Sequence, residues 1–222
     1  RAVPGTLCCH ENEVTFPGNK EAPPVHWDRH YAFINGSSAL LADAVLFNSE
    51  YDKRAFLKAL PGFLAAFPSP RPLDVVASIE SKSKVVPIGL ESDVFAAGAL
   101  SAPGMFGEGP PVVVWNHRWE FDKGPDEFYA CLQEAANEGV AFRLAMMGQQ
   151  FGQAPPAFDK MKAEFGSQIV HWGHVDSRGA YVEALRSSDI ALVTSHHDFY
   201  GLSVLESAAV GGDVKERKMT LP

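Results

Sequence analysis

A disulfide framework, a basic surplus, a membrane-length apolar run and internal repetition are all missing from this chain, and each absence removes a class of protein. There are three cysteines. Cys8 and Cys9 are neighbours, badly placed to bridge one another, and Cys131 sits in a helical pattern, so the expectation is a reduced, cytoplasmic chain. Nineteen Lys and Arg stand against 27 Asp and Glu, a net charge of −8. That charge excludes a globally basic surface and counts against nonspecific nucleic-acid binding, while leaving room for a local patch that holds phosphates. The apolar runs are too short to cross a bilayer. No repeat or low-complexity tract is present. The first residue is Arg1, close to an apparent buried strand, and the end, "DVKERKMTLP", turns abruptly polar after an apolar helix. The expectation is a fragment without a signal peptide, its residues 213–222 a frayed or foreign tail.

Hydrophobic residues make up 46% of the chain and charged residues 21%, as in an ordinary globular protein able to bury a core. After Pro111, strand and helix alternate. "VVVWN" is β-branched and apolar, as a strand buried on both faces should be. A helix follows from Pro125, with Asp126 and Glu127 in its first turn and Phe128, Cys131, Leu132 and Ala135 on one face, and Gly139 stops it. "VAFRLAMMG", "QIVHWG" and "IALVTS" read as further strands. "PAFDKMKAEFG", "SRGAYVEALRSSD" and a segment from about Gly201 read as helices. This alternation predicts a parallel sheet with helices on both faces. The first part follows the same grammar more sparsely. Strands are expected at "GTLCCHEN", "AVLFNS" and "KVVPIG". Helices are expected at "RHYAFINGSSALLAD", at "EYDKRAFLKAL" up to a stop at Pro61-Gly62, and at "PLDVVASIESK". Residues 90–111, rich in Gly, Ala, Ser and Pro, read as a linker. The division is therefore residues 1–89, a linker at 90–111, residues 112–212 and a tail.

In open α/β sheets, ligands bind beyond the carboxyl ends of the strands. Three loops there carry chemistry: "HEN" from His10, "NHRWEFDKG" from Asn116, and "SHHDFYG" from Ser195. Two lobes facing each other would bring all three to one cleft. Arg118 and Lys123, between a strand and a helix, suit a diphosphate, or are solvated cations bordering Glu120 and Asp122. His196, His197 and Asp198 are consecutive, so an extended chain would turn neighbours to opposite sides, and a metal site is not expected. Gly201 lets backbone amides approach an anion. Glu206 could offer two acceptor oxygens to vicinal hydroxyls, or be a helix glutamate interacting with the dipole. His10 could donate to a sugar hydroxyl or be a satisfied near-core histidine. Trp115, Trp119, Phe121, Trp172 and Phe199 read as core before stacking platforms.

Together, "NHRWEFDKGP" and "HHDFYGLSVLESAAVGG" resemble the C-terminal lobe of GT-B-fold retaining glycosyltransferases of family 4. With "CHENEVTFP", "VLFNSEYDKRAFL" and "HWGHVDSRGAY", the resemblance narrows to tRNA-queuosine α-mannosyltransferase and its bacterial relatives, over roughly Gly5 to Gly212. It implies two Rossmann-like lobes with parallel sheets, each incomplete here. It implies Arg118 and Lys123 on the donor diphosphate, with His10 and Asp198 near the donor sugar. Phe199, Tyr200, Gly201 and Leu202 would present backbone to sugar and phosphate, with Glu206 on the ribose and Val175 near the base. The donor implied is GDP-mannose and the acceptor queuosine in tRNA, with retention, no metal and no membrane. Asp198 departs from the glutamate of the family's pattern by one methylene. Two alternatives stand beside this reading: a lipid, glycan or small-molecule acceptor, which the acidic balance favours, and a non-catalytic nucleotide-sugar or RNA-binding remnant.

Overall fold

The computed structural model describes residues 4–12, 14–15, 28–65, 74–98 and 105–216. The start of the helix expected from Pro72, part of the 90–111 linker and the tail beyond Glu216 lie outside them. The chain divides into two compact units. One comprises residues 1–89 with His197–Tyr200, and the other residues 90–196 with 201–222.

The first unit carries a parallel three-stranded sheet in the order β1 (Thr6–Cys9), β2 (Ala44–Phe47), β3 (Ser83–Val85). Helices α1 (Asp28–Leu41), α2 (Glu50–Ala65) and α3 (Val75–Ser81) connect and cover it. The core is Cys9, Ala39, Val45, Phe47, Phe56, Leu60, Val75 and Ile79. Two expectations change here. Helix α2 runs through Pro61 to Ala65 instead of stopping there. Proline has no N–H to give the carbonyl four residues back. The apolar stripe nevertheless continues past it, with Leu60 buried and Phe63 and Leu64 packed on the same core. Strand β3 ends at Val85, two residues before Pro87, which cannot extend a ladder.

The second unit opens with α4 (Ser92–Gly98), a helix within the stretch expected to be a linker; its Val94 is wholly buried. A five-stranded parallel sheet follows: β4 (Val112–Asn116), β5 (Arg143–Met147), β6 (Ile169–Gly173), β7 (Ile190–Val193) and β8 (Asp213–Glu216). Strand β8 corrects the tail expectation, since Asp213–Glu216 pair in register with Ile190–Val193. A charged edge strand needs no apolar run, which is why composition alone suggested an unpaired end. The helices between the strands are α5 (Pro125–Asn137), α6 (Pro156–Phe165), α7 (Arg178–Arg186) and α8 (Leu202–Ala209).

Alternation along β4 divides the core in two. Val113 and Trp115 join Phe128 and Leu132 of α5, and Phe158, Met161 and Phe165 of α6. Val112 and Val114 join Val182 and Leu185 of α7. Sheet order is β6-β5-β4-β7-β8, so the order reverses between β4 and β7. Their carboxyl ends lie at the topological switch point, where such sheets open a crevice for ligands. Among the described residues, no helix is long and apolar enough to cross a membrane.

Candidate functional site

Two loops leave the switch point, and backbone geometry holds both. After β4 the chain turns through His117 and Arg118, where Trp119 pins it. The Trp119 amide donates to the Gln149 carbonyl (3.1 Å), its indole Nε1 donates to the Met147 carbonyl (3.3 Å), and its ring stacks on Phe158 at 4.4 Å. A short 3-10 turn, Phe121–Lys123, then runs into α5 at Gly124, whose φ is +66°. A Cβ on Gly124 would lie 2.1 Å from the Thr194 carbonyl oxygen at the end of β7, so no other residue fits without displacing backbone. The Thr194 hydroxyl donates toward the carbonyls of Lys123 (3.1 Å) and Gly124 (2.9 Å), and the His196 amide donates to the Asp122 carbonyl at 2.8 Å.

This places the two cations differently. Arg118 is 47% exposed and pairs with Glu120 at 3.3 Å, so its guanidinium is open to a ligand. Lys123 is only 12% exposed, with its ammonium 3.1 Å from the buried Asp122 carboxylate. Helices α5 and α8 both begin at a left-handed glycine, Gly124 and Gly201, and neither has a side-chain cap hydrogen bond. First-turn amides without a capping side chain suit an anion.

Helix α8 is tied to the end of β4. The Asn116 amide nitrogen lies 2.9 Å from the Ser203 carbonyl, 3.1 Å from the Ser207 hydroxyl and 3.3 Å from the Tyr181 hydroxyl. The Ser203 hydroxyl meets His117 Nδ1 at 2.9 Å. Glu206 lies one turn along α8 from Ser203, and both its oxygens are engaged. Oε1 accepts from Arg178 and Oε2 accepts from the Tyr181 hydroxyl, each at 2.7 Å. Burial pushes the Tyr181 phenol well above its ordinary range, and the Glu206 charge and hydrogen bond push it the same way, so it remains a donor. The second unit thus joins the Arg118 loop and Glu206 through Asn116 and His117. Val175, after β6, is half-buried against the α7 face of the core.

His10, Asp198, Phe199 and Tyr200 belong to the first unit. His10 is exposed after β1, and its carbonyl accepts from Asn48 Nδ2 at 3.0 Å. Asp198 Oδ1 accepts from the Tyr200 amide at 3.3 Å, an Asx-type turn that a longer side chain would not close in the same way. The Phe199 carbonyl accepts from Ser49 Oγ at 2.8 Å, and the Tyr200 hydroxyl donates to the Ile88 carbonyl at 2.6 Å. Trp115, Trp119 and Phe199 are buried, Trp172 packs against the core, and Phe121 is 40% exposed. His196 Nε2 lies 2.8 Å from Glu127.

Sequence reasoning missed Asn116, Arg178, Tyr181, Ser203 and Ser207. Tyr181 falls in the segment that reads as a helix, and nothing in its local pattern signals that its hydroxyl reaches Glu206. A second omission lies under His10. Asn12, Asn48 and Asp52 are buried, and Asn12 Nδ2, Asn48 Oδ1 and both Asp52 oxygens make no hydrogen bond of ordinary geometry. Desolvation raises the Asp52 carboxyl to about 6, while the nearby Asn12 side chain pulls it the other way.

Comparison with known proteins bears on both units. Residues 1–90 match the family described as tRNA-queuosine alpha-mannosyltransferase N-terminal. A tRNA-queuosine alpha-mannosyltransferase of Drosophila melanogaster is 29% identical over 206 residues, which is 91% of this chain and 54% of that protein. The chain therefore spans about half the length of the curated relative. Among solved structures, Anabaena HepE in complex with UDP and glucose superposes with a TM-score of 0.65 at 14% identity, over 96% of this chain and 52% of that one. Sucrose-phosphate synthase from Thermosynechococcus elongatus gives 0.59 at 17% identity, over 95% and 49%. A UDP-forming trehalose-phosphate synthase from Burkholderia xenovorans gives 0.60 at 15% identity, over 96% and 53%. These likenesses establish the GT-B fold.

Proposed function

We propose, for a chain related to the tRNA-queuosine alpha-mannosyltransferases and built on the GT-B plan, that the protein it belongs to transfers mannose from GDP-mannose to queuosine in tRNA, with retention. The observation that carries this reading is the junction in the second unit. Arg118 and Lys123 lie on one loop, and Glu206 is tied to the root of that loop through Tyr181 and Asn116.

The chemistry follows from where charge develops. Breaking the bond between the anomeric carbon and the diphosphate oxygen leaves positive charge on the sugar and negative charge on the diphosphate. Arg118, Lys123 and the first-turn amides of α8 oppose the second, and one preorganised donor of this kind is worth about 3–4 kcal/mol. The acceptor hydroxyl oxygen then bonds to the anomeric carbon on the face the diphosphate leaves, and its proton passes to a departing phosphate oxygen. No pair of carboxylates flanking the bond is needed, unlike in hydrolases. Glu206 accepts from the ribose hydroxyls, the backbone of Gly201 and Leu202 lies toward the phosphates, and Val175 lies toward the base. His10 and Asp198 act on the sugar, with Phe199 and Tyr200 presenting backbone.

The test uses the full-length protein containing this chain, GDP-mannose and queuosine-bearing tRNA, with tRNA mobility on a gel as the readout. The expected result is a mobility shift that needs both the donor and Arg118. Unchanged mobility, with GDP binding intact, would overturn the tRNA acceptor. The chain's net charge of −8 then favours a lipid, glycan or small-molecule acceptor. Absence of GDP binding would overturn the donor and leave a non-catalytic remnant.

A further inference from the structure

We infer that Arg178 and Tyr181 are positioning residues that hold the Glu206 carboxylate turned to accept two vicinal hydroxyls, and that the acids around Arg178 set which end of the nucleotide lies there. The inference rests on the nucleotide-sugar reading above and deepens it.

An ionised carboxylate has about four lone-pair positions, two on each oxygen. The protein fills one on each. Arg178 takes one on Oε1 and the Tyr181 hydroxyl takes one on Oε2, both at 2.7 Å. One acceptor position on each oxygen remains, the pattern that a cis-diol donating two O–H bonds requires. The direction of the network is also fixed. Asn116 Nδ2 can only donate, so at 3.3 Å it meets a lone pair of the Tyr181 oxygen and leaves the phenolic hydrogen for Glu206. Burial, followed by the Glu206 charge, holds that phenol protonated through the working pH range.

Arg178 is itself held. Asp93 Oδ2 lies 3.2 Å from its Nε and Glu91 Oε2 lies 3.4 Å away, both from the start of the second unit, and its guanidinium sits over the Tyr181 ring at 5.4 Å. These contacts favour the guanidinium position that faces Glu206 over one turned toward a phosphate. Three carboxylates surround this one cation, so the neighbourhood keeps a negative surplus. Hydroxyl donors suit it and a diphosphate does not. The cations Arg118 and Lys123 lie on the other loop, so the charges order the ligand with its ribose toward Glu206 and its diphosphate toward Arg118.

The test is calorimetric titration of this chain with GDP and with 2′,3′-dideoxy-GDP, for wild type, Arg178→Met and Tyr181→Phe. Tyr181→Phe removes one oxygen and keeps the ring packing. Wild type is expected to favour GDP by about ten- to a hundredfold, the worth of hydrogen bonds to a charged acceptor. Each variant is expected to bring that ratio to within about threefold of one, with dideoxy-GDP affinity unchanged. A variant that keeps the wild-type ratio overturns the inference. So does a variant that loses dideoxy-GDP affinity to the same degree, because the contacts then only support the fold. A wild-type ratio near one removes the ribose assignment itself; it is distinguished by GDP binding that still depends on Arg118.

Discussion

Gly124→Ala separates the position of the site loop from its charge. The substitution leaves Arg118 and Lys123 in place but puts a methyl where the structure has none to spare. Two costs arise. At φ +66° an L side chain meets its own backbone, worth about 1–2 kcal/mol. In addition, the Cβ would lie 2.1 Å from the Thr194 carbonyl oxygen, so the loop or the end of β7 must move by about 1 Å. Overpacking of that kind adds about 1–3 kcal/mol. Gly139→Ala is the control: its φ is +75° and a Cβ there meets nothing within 4 Å. The gain from stiffening the unfolded chain is common to both variants and cancels. Gly124→Ala should therefore fall below Gly139→Ala by about 1–3 kcal/mol, or several degrees in Tm. Its GDP affinity should drop at least about tenfold, while Gly139→Ala binds like wild type. Thermal unfolding and GDP titration read the two effects. Equal Tm values and equal GDP affinities would refute the claim that the β4–α5 loop is registered against β7.

Arg118→Ala should weaken GDP binding by about ten- to a hundredfold with little change in Tm, because an exposed ion pair contributes at most about 1 kcal/mol. Lys123→Ala should lower both affinity and Tm, since it leaves the buried Asp122 carboxylate without its ion pair, and parallel titration and unfolding would separate the two residues. Asp52 should make folding weaker as pH rises. Its folded value of about 6 lies above the unfolded one, so its contribution is complete below about pH 4 and lost by about pH 6. The difference between wild type and Asp52→Asn in urea unfolding should change by about 1–3 kcal/mol over that window; a flat difference contradicts it. Burial, followed by the Asp52 charge, pushes the Cys9 thiol up to about 12, so native alkylation should mark exposed Cys8 and spare Cys9 until the chain unfolds, as peptide mapping would show.

Much of the second unit was legible because its strands are short apolar blocks and its helices carry clear stop signals. Gly139 ends α5 with a left-handed turn, and Pro125 and Pro156 open α5 and α6. What escaped was decided by tertiary packing. Helix α2 crosses Pro61 because residues beyond it reach the same core, and α4 forms where Val94 finds a buried socket. Strand β8 pairs in spite of its charges because the edge of β7 is open to it. The same contrast holds at the site. Glu206, inside α8, reads on its own as an ordinary helix glutamate, whereas Arg118 and Lys123 stand out as charges between a strand and a helix, a local signal. The partners of Glu206 do not, because Tyr181 and Arg178 lie on a different helix and their contact with α8 depends on the sheet order β4-β7.

The most direct measurement is a structure of the chain with GDP bound. The account predicts the diphosphate within hydrogen-bond distance of the Arg118 guanidinium and Lys123 ammonium, and both ribose hydroxyls on Glu206, with Arg178 and Tyr181 still holding that carboxylate. A nucleotide bound elsewhere on the second unit, or one turned so that its phosphates face Glu206, would contradict it.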